Sequence, residues 1–216
     1  MTFEPLSATP GPGTEGQGSS VPGGSGASPE ATTAKVVEGA LRAIARFGLT
    51  KLTVDDVARE AGISRATLYR YFPGRGAVLA AVVQSETERL QRGLDDTLAD
   101  VANLSEALAA VAGFGARAFV GHEALQHLLA TEPGTVLPHL CFSGADTLLR
   151  VAADRIAPHL CRFMGPLEAR RTGELLARIV LSYALAPPPG PTEAAVLSVV
   201  REFVIPAACE RTGTGG

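Results

Sequence analysis

The sequence predicts an all-α fold, and three observations support this prediction. From Ala31 onward, apolar residues recur at intervals of three and four, which is the spacing of one face of an α-helix. Ala and Leu dominate the apolar residues, which make up 46% of the chain, whereas Val and Ile are too scattered to indicate a sheet. No convincing strand pattern appears anywhere in the sequence. At 216 residues, the chain is long enough to bury a substantial core.

Residues 1–30 differ in composition from the rest of the chain. They contain seven Gly and five Pro, and neither Lys nor Arg. Such a segment buries too little apolar surface to offset the entropy lost on ordering, so we expect a disordered tail. Without basic residues it also lacks the chemistry of an arm that reads a DNA minor groove. Residues 209–216 are predicted to form a second, flexible tail.

Two helices are predicted between Ala31 and Gly62. The first ends at Gly48, and its apolar stripe consists of Ala34, Val37, Leu41, Ile44 and Phe47. The second begins at Thr53, whose side chain can cap the helix, and Asp56 follows at the spacing of a capping box. Gly62 ends the second helix, since glycine most easily adopts a positive φ.

A third, short helix follows almost at once. Ser64 can cap it, Leu68 and Phe72 supply its apolar anchors, and Pro73-Gly74 stops it. Two short helices joined by a glycine-containing turn and packed on a longer helix form a helix-turn-helix. In that motif the second short helix enters the major groove of DNA.

Further helices are predicted for most of the remaining chain. Their approximate ranges are 75–93, 104–120, 123–131, 143–157, 167–186 and 192–208. The segments "EPG" at 132–134, "GP" at 165–166 and "APPPGP" at 186–191 are predicted to be breaks. We therefore expect a helix-turn-helix domain over 31–76 and a larger helical domain over 77–208.

The charge of the chain is unevenly distributed. Residues 31–76 hold eight basic and four acidic side chains, a net charge of +4. Because the whole chain carries −3, the remainder carries −7. This asymmetry indicates a basic module joined to an acidic body. Taken alone it also fits an ordinary solvated, charged surface.

The third helix has an outward face suited to DNA. With Leu68 placed in the core, a rotation of about 100° per residue puts Ser64, Tyr71 and Phe72 on the core side. Ala66 and Arg70 then point away from the core, flanked by Thr67 and Tyr69. A guanidinium, two hydroxyls and a small residue suit phosphates and base edges. The alternative is a capped helical hairpin in which the tyrosines are half-buried packing residues.

The stretch "TVDDVAREAGISRATLYRYFPGRGAVL" resembles the helix-turn-helix signature of the TetR family of bacterial transcriptional regulators. The upstream "ALRAIARFGLTKLTV" extends the likeness, which covers about residues 31–92. The resemblance implies a repressor that responds to a ligand and binds a near-palindromic operator as a homodimer. It also implies that the helices after about residue 93 bind the ligand and form the dimer.

The resemblance assigns DNA contacts residue by residue. Thr53 and Arg75 are expected to hold phosphates, and Ser64 caps the third helix. Arg65, Ala66 and Thr67 are expected at or near bases, and Tyr69 and Arg70 on the DNA backbone. Arg75 stands where the family usually has Lys, and Gly76 replaces a common acidic residue, so we expect a looser start to the fourth helix.

Two groups of apolar residues in the larger domain are candidates for its functions. The candidate pocket for a hydrophobic effector consists of Phe114, Phe119, Leu125, Leu128, Leu129, Phe142 and Leu149. The candidate dimer interface consists of Leu175, Ile179, Ser182, Tyr183, Val196, Val200, Phe203 and Val204. For both groups the alternative is an intrachain core. No side chain among them identifies the effector.

Other functional classes are less well supported by the sequence. The four His residues and Cys141 lack metal-ligand spacing, so we expect neither a metal nor a cofactor. No GxSxG, phosphate-binding glycine loop or paired-carboxylate motif predicts an enzyme. Three Cys without CxxC spacing fit a reducing compartment. No signal sequence or membrane-spanning run is apparent, which predicts a cytoplasmic protein.

Overall fold

The computed structural model describes residues 28–213, apart from the side chains of residues 142–145. These residues form eleven α-helices and one short π-helical segment, with no strand among them, so the predicted all-α fold is confirmed. The helices are α1 (Pro29–Phe47), α2 (Val54–Ala61), α3 (Arg65–Tyr71), α4 (Arg75–Leu98), α5 (Leu104–Val120), α6 (Glu123–Thr131), α7 (Pro133–Leu140), α8 (Phe142–Leu160), α9 (Pro166–Leu185), α10 (Thr192–Val199) and α11 (Ile205–Gly213), and the π-helical segment is Val200–Val204.

The first and last helices extend into the segments that were predicted to be tails. Residues 1–27 of the predicted N-terminal tail and 214–216 of the C-terminal one lie outside the described residues. Helix α1 begins at Pro29, and the Ser28 hydroxyl caps it by accepting from the Ala31 N–H at 3.1 Å. At the other end α11 continues to Gly213, so residues 209–213 are helical.

The buried face of α1 is rotated from the predicted stripe. Ala34 is exposed, and Leu41 and Phe47 are only partly buried. The face that packs inward consists of Thr32, Val36, Val37, Gly39, Ala40, Ala43 and Ile44. The observed face includes Gly39, where an added Cβ would lie 2.6 Å from the Ala61 backbone N, so this glycine lets α2 approach closely.

Most later helices lie near their predicted positions. Helices α5 and α6 have the predicted bounds, while α4 runs on to Leu98. Helix α7 is missing from the prediction, because the "EPG" segment was expected to be a break. Pro133 instead occupies the first turn of α7, where the missing N–H has no intrahelical acceptor to lose.

The last predicted helix is divided into three segments. Helix α10 leads into the π-helical segment, and α11 follows with Pro206 in its first turn. Proline cannot donate the backbone hydrogen bond that a continuous α-helix requires, and a wider turn directly before it accommodates that loss. The extra residue in this turn changes which side chains share a face.

The buried residues form two cores, and α4 belongs to both. The N-terminal core joins α1, α2 and α3 to Val78 and Val82 of α4, and to Ala124, Leu128 and Val136 from α6 and α7. The C-terminal core joins the second half of α4 to α5 and to α8–α11. Helix α6 therefore packs on α1, and Val136 of α7 joins the same core.

None of the described helices alone is both long and apolar enough to cross a bilayer. Helices α5 and α6 reach that length only when taken together, and they are bent by 61° at the break between them.

Candidate DNA-binding surface

Local hydrogen bonds fix the start of α2 as the capping-box spacing predicts. The Thr53 hydroxyl accepts from the Asp56 N–H at 3.1 Å, and the Asp56 carboxylate accepts from the Thr53 N–H at 3.2 Å. The same hydroxyl donates to Asp56 Oδ2 at 2.5 Å, and these bonds lower the pKa of Asp56. Because its hydrogen is already donated, Thr53 can donate to a phosphate only by breaking this bond.

The turn between α2 and α3 has the predicted conformation. Gly62 has a φ of +65°, in the left-handed region that glycine adopts most readily. The Ser64 hydroxyl then caps α3 by accepting from the Thr67 N–H at 3.0 Å. Ser64 is exposed at this cap and does not lie on the core side where the helical rotation placed it.

The two faces of α3 differ as predicted. Leu68 is fully buried and Phe72 is 8% exposed, so they fix the helix on the N-terminal core. On the opposite side Ala66 and Arg70 are exposed, Tyr69 is 41% exposed, and Thr67 is partly buried. The surface formed by Ala66, Thr67, Tyr69 and Arg70 is called the α3 outer face below.

The three arginines around α3 have different partners. Arg65 Nη1 donates to Asp55 Oδ2 at 2.9 Å, which joins α3 to α2. The Arg70 guanidinium lies over the ring of Tyr71, 5.1 Å from its centroid, and has no ion pair with a described residue. Arg75 Nη2 donates to the Leu49 carbonyl at 2.6 Å, so Arg75 holds the loop before α2.

The same loop is held from the other side by Glu132, which lies between α6 and α7. The carboxylate accepts from the Thr50 N–H at 2.9 Å and from the Thr50 hydroxyl at 2.7 Å. These bonds lower the pKa of Glu132, so the tie is fully formed above the carboxyl's ordinary pKa of 4.5. It is lost as the pH falls through the lowered value. We call the Glu132–Thr50 contact the interdomain tie.

The sequence gives no sign of this tie. Glu132 and Thr50 lie 82 residues apart, and Glu132 was assigned to a break. The loop that leads directly into α2 therefore has two hydrogen-bonded partners. They are Arg75 of α4 and Glu132 at the α6–α7 junction. Any shift of α4 or α6 relative to the N-terminal core would act on the helix-turn-helix at this point.

The residues predicted to form an effector pocket are divided between the two cores. Phe114 packs on the C-terminal core, whereas Leu125, Leu128 and Leu129 belong to the N-terminal core. Phe119 is partly buried and Leu149 is buried, while the side chain of Phe142 lies outside the description. The 61° bend between α5 and α6 separates the set, because it directs the two helices to different cores.

The predicted dimer interface is also divided by the structure. Val196, Val200 and Val204 are buried in the C-terminal core of their own chain, which is the intrachain alternative for these residues. Ile179 and Tyr183 pack partly on the same core. The remaining three residues are exposed: Leu175, Ser182 and Phe203. Phe203, 63% exposed, lies within the π-helical segment, whose wider turn directs it away from the valines.

Residues 28–213 contain no group of three or more His, Cys, Asp or Glu side chains placed to hold a metal ion. Two histidines instead make pairwise contacts with α4. His122 Nε2 lies 3.1 Å from Glu86, and His159 Nε2 lies 3.0 Å from Asp95.

Residues 36–82 match the model of the family described as bacterial regulatory proteins, tetR family. An uncharacterized HTH-type transcriptional regulator of Mycobacterium tuberculosis is 27% identical over 80% of this chain and 83% of its own. The HTH-type transcriptional regulator EthR of Mycolicibacterium smegmatis is 35% identical over 30% of each chain. The matched family segment contains α2, α3 and the Gly62 turn.

Two solved structures have the same fold over most of the chain. The TetR family repressor AlkX from Dietzia sp. superposes with a TM-score of 0.56 and 22% identity, covering 80% of this chain and 94% of AlkX. A putative transcriptional regulator of Streptomyces coelicolor, SCO7518, gives a TM-score of 0.58 and 22% identity over 79% and 96% of the two chains. The helix-turn-helix segment of this chain, residues 36–82, is therefore of the type found in the tetR family of bacterial regulatory proteins.

Proposed function

We propose that the protein is a ligand-responsive repressor that binds a near-palindromic DNA operator as a homodimer. The observation that supports this most directly is the α3 outer face, where Ala66, Tyr69 and Arg70 are exposed while Leu68 on the same helix is fully buried. A helix fixed in this way presents its guanidinium, hydroxyls and small Ala66 to the major groove. Such a protein acts where its DNA lies, in the cytoplasm.

The proposed contacts divide into two types. Arg65, Ala66 and Thr67, at the N-terminus of α3, would lie at base edges, while Tyr69 and Arg70 would hold phosphates. Thr53 and Arg75 are proposed as further phosphate contacts. In the DNA-free state both have protein partners, Asp56 and the Leu49 carbonyl. Thr53 would therefore exchange its bond to Asp56 for one to DNA, whereas Arg75 has further N–H donors that DNA can use.

Arg70→Ala is expected to weaken operator binding on the order of a hundredfold, about 1.4 kcal/mol for each protomer. The Arg70 guanidinium is exposed and free of a carboxylate partner among the described residues, so its charge is available to a phosphate. The measurement is a titration of the DNA beside the protein's own coding sequence at several salt concentrations. The log–log salt dependence should become shallower by about two, one lost contact per protomer.

Arg92→Ala is the matched control, because Arg92 is exposed on α4, away from the α3 outer face. It removes the same charge from the chain and should leave both affinity and salt dependence close to those of the wild type. Equal affinities for Arg70→Ala and the wild type at low salt would contradict the assignment.

We propose that dimerisation uses the exposed apolar residues of α9 and the π-helical segment. Leu175 is 44% exposed and Phe203 63% exposed, and such large apolar side chains in contact with water favour a protein interface. Two copies of α3 held about one DNA turn apart would bind two half-sites, which compensates for the small surface of one short helix.

Phe203→Asp is expected to convert the dimer to a monomer, because it places a charge in the proposed apolar interface. Molar mass from light scattering measures this directly. Val83→Asp provides the control: Val83 is 66% exposed on α4 and outside the proposed interface. A dimer that survives Phe203→Asp at micromolar concentration would exclude this surface.

The effector is proposed to be a hydrophobic small molecule bound among the helices of the C-terminal half. Apolar side chains line these helices, and Phe114 and Phe119 of α5 are only partly buried. One neighbour of the same fold, FadR from Bacillus subtilis, is described in complex with stearoyl-CoA. At 16% identity this likeness concerns the fold, so the panel of candidates should span several apolar classes.

An effector from such a panel is expected to raise the melting temperature and lower operator affinity together. Stabilisation follows from binding to the folded state alone, and about 2.7 kcal/mol is gained at a hundred times the Kd. Thermal-shift and DNA-binding measurements on the same compounds test this. If no compound changes either quantity, the alternative of a regulator or partner-binding protein without an effector is favoured.

We propose no enzymatic activity, since the relatives named above are transcriptional regulators.

A further inference from the structure

The Arg65 side chain is held on two sides before any DNA is bound. Its Nη1 donates to Asp55 Oδ2 at 2.9 Å, and its guanidinium carbon lies over the ring of Tyr69, 5.3 Å from the centroid. Asp55 belongs to the first turn of α2 and Arg65 to the first turn of α3. The contact therefore joins the two helices of the motif beside the α3 outer face.

This ion pair contributes little to the stability of the fold. The side chains of Arg65 and Asp55 are 64% and 51% exposed, and exposed pairs are screened by water. Elsewhere in the domain Arg42 and Arg46 both contact Glu60 and already tie α1 to α2. The Asp55–Arg65 pair is thus available for a role in binding.

A carboxylate at this place has an electrostatic cost for a DNA-binding protein. Asp55 lies next to a residue expected at the bases, where the phosphates of the duplex repel its negative charge. Removing it would therefore increase non-specific attraction. An acidic side chain here favours DNA binding only if its effect on Arg65 outweighs this repulsion.

That effect is to fix the orientation of the guanidinium. Arginine has five N–H donors in a rigid, planar fork. The bond to Asp55 uses Nη1, and the Tyr69 ring restricts the guanidinium on one side, which leaves the donors on Nε and Nη2. Two adjacent donors on one edge match the O6 and N7 acceptors of guanine in the major groove. An oriented side chain also loses less rotational freedom on binding.

We propose that Asp55 is a positioning residue that holds Arg65 to read one guanine in each operator half-site. The proposal rests on the proposed function, in which α3 enters the major groove. Arg70 differs in kind, because it lies over Tyr71 without a described carboxylate partner. It would contact phosphate and give affinity without base preference.

Selection of bound sequences from a library of random DNA duplexes tests the proposal with the full-length protein. The wild type should recover paired half-sites that contain an invariant guanine. Asp55→Ala should reduce the preference for that guanine roughly tenfold, while its affinity for random-sequence DNA rises. Arg65→Lys keeps the charge but not the fork, and should lose the preference at the same position.

Glu38→Gln is the control for charge, because Glu38 is an exposed carboxylate on α1 whose side chain is 70% exposed. It raises the net charge by the same unit as Asp55→Ala and should leave the guanine preference unchanged. The proposal is overturned if Asp55→Ala selects the same sequences as the wild type, or if Arg65→Lys keeps the preference for guanine. If the wild type enriches no sequence at all, the proposed function itself fails and this proposal fails with it.

Discussion

Leu68→Ala is expected to abolish specific DNA binding by destabilising the helix that makes it. Leu68 is the one buried residue of α3, with no exposed surface, and it anchors a seven-residue helix on the N-terminal core. Truncating a fully buried leucine costs about 2–5 kcal/mol. That is a large part of the stability of a small domain, which is commonly about 5–15 kcal/mol.

Circular dichroism during heating, combined with hydrogen exchange of the α3 amides, measures the effect. We expect a lower melting temperature and fast exchange throughout α3, while the amides of the C-terminal core stay protected. Leu90→Ala is the control, because Leu90 is 40% exposed on α4 and its truncation removes little buried surface. Equal stability of Leu68→Ala and Leu90→Ala would contradict the anchoring role.

Gly48→Ala is expected to have the second largest effect, since it strains the backbone and displaces the interdomain tie. Gly48 has φ +78° and ψ 174°, a region that is essentially confined to glycine. Placing another residue there costs on the order of 1–3 kcal/mol. An added Cβ would also collide with the Glu132 carboxylate, which must then move away from Thr50.

Gly76→Ala provides a matched comparison with the same change of side chain. Gly76 lies in the first turn of α4 and a Cβ there would meet no atom within 4 Å. Alanine should stabilise this turn slightly, by up to about 1 kcal/mol. Thermal unfolding should therefore move in opposite directions for the two variants. A melting temperature for Gly48→Ala at or above that of the wild type would contradict both the backbone strain at position 48 and the stabilising role of the interdomain tie.

The helix-turn-helix could be predicted because its signals are local. The Thr53 capping box, the Ser64 cap and the glycine at the turn each depend on residues within about four positions. The exposure of Ala66 and Arg70 follows from the burial of Leu68, since α3 is a regular helix. Contacts between distant residues have no comparable signal, and the interdomain tie joins residues 82 positions apart.

In the C-terminal half, the predicted residue sets assume continuous, regular helices, and the structure divides both sets. A constant 3.6-residue period places Val196, Val200, Phe203 and Val204 together, but the π-helical turn changes the phase between α10 and α11. The valines are buried and Phe203 is exposed. Likewise, the bend after α5 divides the predicted pocket between two cores, and a bend depends on packing that the apolar pattern alone does not record.

Photocrosslinking from position 66 tests most directly whether the α3 outer face binds the duplex. A photoreactive amino acid replaces Ala66 in the full-length protein, and position 38, an exposed position on α1, serves as the reference. With DNA from beside the protein's own coding sequence, position 66 should crosslink at two sites about one helical turn apart. The absence of crosslinks from position 66 under conditions of saturated binding, with crosslinks from position 38 instead, would contradict this account.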